Sequence, residues 1–217
     1  MKLKAVLFDF DYTLGDATES IVAGFQYAFE KMGLTPPGRE AVRPTVGYLL
    51  RDGYVMLSGD TDEARADEFV RLFAEKSHPM QLETTVLFPG ALELLRALRG
   101  AGIKVGVVSS KRSTALLPIL EKLELSPLMD FVMAGDMVSR PKPDPEGLNL
   151  ALERLGIDRE EALFCGDTVL DAEAAQRAGT HFAAVLNGIT PAGAFEAFPY
   201  DHIAPDLAEL KSWLEES

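Results

Sequence analysis

Short apolar runs alternate with amphipathic stretches along most of this chain, and that alternation limits the folds open to it. Residues 5–8 (Ala-Val-Leu-Phe) form the first run, and the β-branched stretch 103–108 forms the second. A weaker run lies at 130–134, and two more at 161–165 and 181–186. Segments of this length and character fill buried strands. Helical patterns stand between them at 91–98, 113–123, 144–155 and 171–178, with a short one at 206–215. Pro89 can open the first of these, Pro118 should kink the second or mark its true start, and Gly156 and Gly179 close the third and fourth. Such alternation after a first strand predicts an α/β fold, a mostly parallel sheet with helices on both faces.

Residues 15–85 break the rhythm, because no strand pattern of any length occurs there. Asp16-Ala17-Thr18-Glu19 reads as a helix start with an Asx cap, and Ile21, Val22, Phe25, Ala28, Phe29 and Met32 then recur at helical spacing. Gly33 and Pro36-Pro37 end that helix, and further helical patterns at 46–57 and 62–76 are separated by Gly59-Asp60. The expected organisation is a core made of residues 1–14 and 86–217, with a small all-α unit, 15–85, inserted after the first strand.

Composition narrows the partners. Lys plus Arg number 21 against 34 Asp plus Glu, a net charge of −13 over 217 residues. Nucleic acid and anionic membranes both call for a basic face, so neither is expected. An anionic substrate must then be drawn in by local positive charge. The single cysteine, Cys165, excludes an intrachain disulfide and a thiolate metal cluster, and it falls inside a strand pattern as a small core residue. Residues 1–8 begin like a signal peptide, but Asp9 and Asp11 interrupt the apolar run. No stretch approaches the roughly 20 apolar residues of a membrane span. A cytoplasmic protein is the expectation.

Ligands of such sheets bind outside the carboxyl ends of the strands, so those ends carry the functional argument. The first strand runs into Asp9-Phe10-Asp11, whose i and i+2 spacing puts both carboxylates on one face if the strand continues. Like charges held together resist joint ionisation. A bound cation or a catalytic use accounts for the pair; a strand end whose aspartates start a turn is the plain alternative. The second strand ends in Ser109-Ser110-Lys111, Lys142 sits among prolines after the third, and the fourth ends in Gly166-Asp167-Thr168 with Asp171 four residues beyond Asp167. Singly, these read as a loop with a helix cap, a solvated loop charge, a tight turn and a first-turn acid. His78, His181 and His202 are scattered and receive no catalytic role.

Jointly, two carboxylates, a hydroxyl, a lysine and two further carboxylates on successive strand ends make a phosphoryl-transfer kit. The ordered set Asp9-Phe10-Asp11-Tyr12-Thr13, Val108-Ser109-Ser110, Lys142-Pro143-Asp144-Pro145 and Gly166-Asp167-Thr168-Val169-Leu170-Asp171 resembles the haloacid dehalogenase-like hydrolase superfamily. Within it the chain looks closest to the phosphoglycolate phosphatases and their neighbours. The resemblance implies a Rossmann-like core and a helical cap domain, the cap being the inserted block.

It also implies roles. Asp9 is the nucleophile that forms an aspartyl-phosphate, and Asp11 the general acid and base. Mg²⁺ is held by Asp9, the backbone carbonyl of Asp11 and Asp167, with Asp171 supporting the metal or orienting Lys142. Ser109 and Lys142 hold phosphate, with Thr13 and the Ser110 backbone as weaker candidates. In the cap, the Gly47-Tyr48-Leu49-Leu50-Arg51 stretch resembles the specificity segment. Arg51, then Arg43, and Lys111 from the core are candidates for a second anionic group on the substrate, with plain exposed arginines as the alternative. Tyr12 departs from the pattern, standing where many relatives have Gly. The expected substrate is a small phosphorylated metabolite, phosphoglycolate by resemblance, acted on by a monomer or homodimer. A phosphosugar mutase, a pyrophosphatase or a nucleotidase of the same superfamily stays open. A non-catalytic signalling or binding protein is disfavoured, because every expected catalytic position is filled.

Overall fold

The computed structural model describes residues 2–216 and divides into two compact units, Met1–Asp16 with Leu87–Ser217, and Ala17–Val86. Strand β1 (Ala5–Phe8) opens the first unit, and the two-residue strand β2 (Gly15–Asp16) leads out of it. The helical unit then holds α1 (Thr18–Lys31), α2 (Arg39–Val42), α3 (Leu50–Ser58) and α4 (Glu63–Thr84), and β3 (Val86–Leu87), which pairs with β2, leads back. The remainder is α5 (Ala91–Gly100), β4 (Lys104–Val108), α6 (Ser113–Lys122), β5 (Phe131–Met133), α7 (Glu146–Leu155), β6 (Ala162–Gly166), α8 (Val169–Ala178), β7 (His181–Val185), β8 (His202–Ala204) and α9 (Leu207–Glu216).

Six of these strands form one parallel sheet in the order β5-β4-β1-β6-β7-β8. The strand period of two sorts their side chains between two layers. Val6, Phe8, Val105, Val107, Leu163, Cys165, Ala183 and Val185 pack with α5, α6 and α9. Leu7, Val108, Phe164, Phe182 and Ala184 pack with α7 and α8 on the opposite face. With both faces covered, β1 and β6 are buried along their length and β4 and β7 after their first residue, which is why they read as largely apolar runs.

The helical unit is built around an aromatic cluster. Phe69 lies 5.0 Å from Phe25, 5.8 Å from Phe29, 5.1 Å from Tyr54 and 6.0 Å from Phe73, centroid to centroid. Gly24 lets α1 and α4 meet, since a Cβ there would stand 2.7 Å from the Phe73 ring. Among the described residues no helix is long and apolar enough to cross a membrane.

Several local expectations are corrected. The N-cap position of α1 falls on Ala17, one residue after Asp16, which belongs to β2. Pro89 is not the first residue of α5, because Gly90 in the left-handed region (φ 84°) is its N-cap. α6 begins at Ser113 as its pattern predicts, so Pro118 does not mark its start and instead forfeits one intrahelical donor. The stretch 46–57 becomes helical only at Leu50, and α4 continues past Lys76 and through Pro79 to Thr84, because its buried face carries on through Ser77 and Gln81. β2, β3 and β8 carry too few residues to show a period.

Candidate active site

The backbone after β1 turns sharply, and that turn aims the first aspartates. Asp9 N–H donates to the Cys165 carbonyl at 2.9 Å, extending the β1–β6 pairing by one residue. The Phe10 carbonyl then accepts from Thr13, Leu14 and Gly15 at 3.2, 2.9 and 3.0 Å, while Tyr12 N–H donates to Gly15 at 2.9 Å. Tyr12 holds φ 60°, a left-handed backbone that costs a residue with a Cβ. Asp9 and Asp11 therefore do not share a continuing strand face, as the i, i+2 reading had it. Asp9 precedes a tight turn and Asp11 lies within it, with different neighbours.

Asp9 is fully inside. Its Oδ2 lies 3.1 Å from Lys142 Nζ, while Oδ1 is buried with no hydrogen-bond partner. Burial pushes its carboxyl up to about 6, against the pull of the Lys142 ammonium, and the Asp171 charge adds to the rise. Lys142, in the loop before α7, also donates to Asp171 Oδ1 at 2.6 Å. Burial alone would lower the Lys142 pKa, but the Asp171 and Asp9 carboxylates outweigh it and hold the ammonium well above the ordinary lysine range. The charge is fixed in place.

Asp171 spends its other oxygen on structure. Oδ2 accepts from Thr168 N–H at 3.0 Å and from Thr168 Oγ1 at 2.7 Å, which holds the N-cap residue at the start of α8. Gly166 makes this possible, since a Cβ there would sit 2.4 Å from Asp171 Cγ. Asp167 at the end of β6 is 2% exposed and accepts from Thr13 Oγ1 at 3.3 Å. Burial first, then the Asp171 and Asp9 charges, raise its carboxyl well above the usual range. One oxygen each from Asp9, Asp167 and Asp171 falls within 4.8 Å of the others. Hard carboxylate donors, gathered and buried with one oxygen unpartnered, fit a divalent cation of the Mg²⁺ type.

Ser109 follows β4 on this edge, its N–H donating to the Met133 carbonyl at 2.9 Å, and its hydroxyl works against the rise of the Asp9 carboxyl. The backbone of Ser110 is pressed against Gly135, where a Cβ would come 2.3 Å from the Ser110 carbonyl oxygen. Lys111 is brought to Asp11, with Nζ 2.8 and 3.1 Å from its two carboxylate oxygens. Asp11 is thereby paired with a lysine, and its side chain is not among the gathered carboxylates. Asp9, Asp11, Thr13, Ser109, Ser110, Lys111, Lys142, Asp167 and Asp171 all belong to the first unit, at one sheet edge. Arg43 and Arg51 lie in the helical unit, ion-paired there with Glu40 and Asp67.

The sequence reading overlooked two neighbours of the site. Asn187 Nδ2 donates to the Thr13 carbonyl at 3.0 Å. Gly188 lies so close to Asp167 that a Cβ would stand 2.2 Å from Oδ2. Both follow β7, and the strand-end rule that found the other sets would have found them had it been carried to the fifth strand.

The family model for haloacid dehalogenase-like hydrolases matches residues 6–185. A phosphoglycolate phosphatase of Pseudomonas putida is 28% identical, covering 95% of this chain and 78% of its own. A pyrophosphatase PpaX of Bacillus velezensis is 32% identical, covering 96% and 95%. Among solved structures, a haloacid dehalogenase-like hydrolase from Bacteroides fragilis superposes with a TM-score of 0.93 at 36% identity, over 96% of this chain and 100% of that one.

Proposed function

Since the chain belongs to the haloacid dehalogenase-like hydrolases, we propose that it is a Mg²⁺-dependent phosphatase of small phosphate esters, working through an aspartyl-phosphate on Asp9. The observation that carries this reading is the state of Asp9. It is a buried carboxylate with one oxygen held by Lys142 and the other unpartnered, at the edge where this fold binds ligands.

Asp9 attacks phosphorus as the ester oxygen departs, splitting the hydrolysis into two displacements. Asp11 gives its proton to the departing oxygen, and in the second step takes one from the attacking water. Ser109 and Lys142 supply fixed donors for the phosphoryl oxygens, whose charge they meet without reorganisation. Lys142 also opposes the rise that burial imposes on the Asp9 carboxyl. Asp9 and Asp167 would hold the cation, with the backbone carbonyl of Asp11 as a further donor, and Asp171 would steady the group through Lys142. The cation when bound offsets the mutual repulsion of carboxylate and phosphate. Thr13 fixes the Asp167 carboxylate, and Asn187 fixes the loop that carries Thr13.

The helical unit acts as a cap that selects the leaving group. Phosphoglycolate and pyrophosphate are the first substrates to try, given the relatives that carry those names. Phosphate release from a panel of esters and pyrophosphate with Mg²⁺, run beside Asp9→Asn, tests the proposal. The wild type should turn over and the variant should not. An inert wild type ends the phosphatase reading, and an active Asp9→Asn ends the nucleophile assignment. A hexose 1-phosphate isomerised faster than it is hydrolysed would make the enzyme a mutase.

A further inference from the structure

Lys111 is built into the site more firmly than a substrate-facing lysine needs to be. Its side chain is 6% exposed and that of Asp11 12%, so the bidentate pair is shielded from water and salt. Its backbone is held on both sides: N–H donates to Ser109 Oγ at 3.3 Å, and its carbonyl accepts from Gly135 N–H at 2.9 Å. Gly135 can make that contact only because it lacks a Cβ. On the other side, Asp11 sits on a turn locked by the three donors to Phe10. Two rigid loops from β1 and β4 thus converge on one ion pair. Elsewhere in the core, the buried Lys142 is shared between Asp9 and Asp171; Lys111 serves Asp11.

We propose that Lys111 is a positioning residue for Asp11, fixing where its carboxylate stands when it exchanges a proton with the leaving oxygen. The inference rests on the phosphatase reading above. In the first step the oxygen–phosphorus bond of the ester breaks as the Asp9–phosphorus bond forms. The Asp11 proton passes to the departing oxygen, leaving a carboxylate that the Lys111 ammonium is placed to receive. In the second step that carboxylate takes a proton from water as the water oxygen attacks phosphorus and Asp9 is freed. Lys111 stays protonated throughout and forms no bond.

The test is leaving-group dependence, read on kcat/KM so that it reports the step that forms the aspartyl-phosphate. p-Nitrophenol departs readily as an anion, whereas glycerol leaving glycerol phosphate needs a proton. A well-placed general acid contributes about 10²–10⁴-fold. Lys111→Met should therefore lower kcat/KM for glycerol phosphate by about 100-fold and for p-nitrophenyl phosphate by less than about threefold, with Lys111→Arg restoring most of the difference. Equal losses on both substrates would overturn the proposal. So would a loss confined to phosphoglycolate and carried in KM, which would make Lys111 a contact for the substrate carboxylate. A thermal double-mutant cycle of Lys111→Met and Asp11→Asn reads the pair without using activity, and strictly additive Tm shifts would also overturn it. If the cycle shows coupling but the wild type hydrolyses none of the three esters, the phosphatase reading fails and the positioning role falls with it.

Discussion

Lys142 and Asp171 are joined at 2.6 Å in the interior, with side chains 5% and 0% exposed. The same aspartate caps α8 through its other oxygen, so one side chain ties the start of a helix to the lysine beside Asp9.

Removing the lysine should therefore be costly in two ways. Lys142→Met strands two buried carboxylates, and breaking a buried pair from one side costs about 3–5 kcal/mol. Urea melts should register that loss, and phosphate release should vanish. Asp171→Asn keeps an oxygen for Thr168 and so keeps the helix cap, yet loses the charge. It should unfold at higher urea than Lys142→Met. The reverse order would show that losing the Asp171 charge costs more than stranding the two carboxylates.

Stability of the metal-free protein should fall as pH rises. The Asp9 carboxyl, raised by burial to about 6 from an ordinary 3.8, binds its proton more tightly in the folded state than in the unfolded one. Asp167 is shifted in the same direction. Stability from these groups is fully present below the unfolded value and is lost as pH climbs through the folded one. Melting temperatures should decline between about pH 4 and pH 7 in chelator, and millimolar Mg²⁺ should flatten the decline by binding the ionised form. A chelator-insensitive profile would argue against a cation at these carboxylates.

Gly188 should tolerate no side chain. A Cβ 2.2 Å from Asp167 Oδ2 forces that carboxylate aside, and a misplacement near 1 Å costs about 100-fold in rate. Gly188→Ala should lose about that much activity, with the stability cost of overpacking near 1–3 kcal/mol, roughly. Full activity at ordinary Mg²⁺ would mean Asp167 does not need its present position.

Arg51→Ala is expected to raise KM for phosphoglycolate more than for p-nitrophenyl phosphate. The Arg51–Asp67 pair is exposed on both sides, and such pairs contribute about 0–1 kcal/mol. The variant should thus melt close to wild type, leaving kinetics as the readout. Equal KM changes on both substrates would remove Arg51 from the specificity residues.

Much of the core could be read from the sequence because its signals are long and redundant. The central strands are covered on both faces, so 103–108 and 161–165 stand out as apolar blocks, and the strand-end rule then locates Ser109, Lys142, Asp167 and Asp171. What escaped was set by contacts distant in sequence. Nothing local announces that Tyr12 turns left-handed or that Asn187 reaches back to Thr13. The pairing of Lys111 with Asp11 spans two loops, so a lysine after two serines reads as a contact for a substrate anion until the fold closes. The extension of α4 through Pro79 likewise depends on a buried face that only packing against α1 supplies.

The sheet order has a consequence for how the enzyme is made. β1 leaves the ribosome first, yet its neighbours β4 and β6 lie about 100 and 160 residues downstream, and pairings of such long range are slow to form. Asp9 therefore follows an apolar strand that stays unpaired until residues 104–107 and 162–165 have been made. The residues that brace Thr13 and crowd Asp167 arrive only at Asn187 and Gly188. Until then the chain lacks the contacts that brace the Thr13 turn and crowd the Asp167 carboxylate.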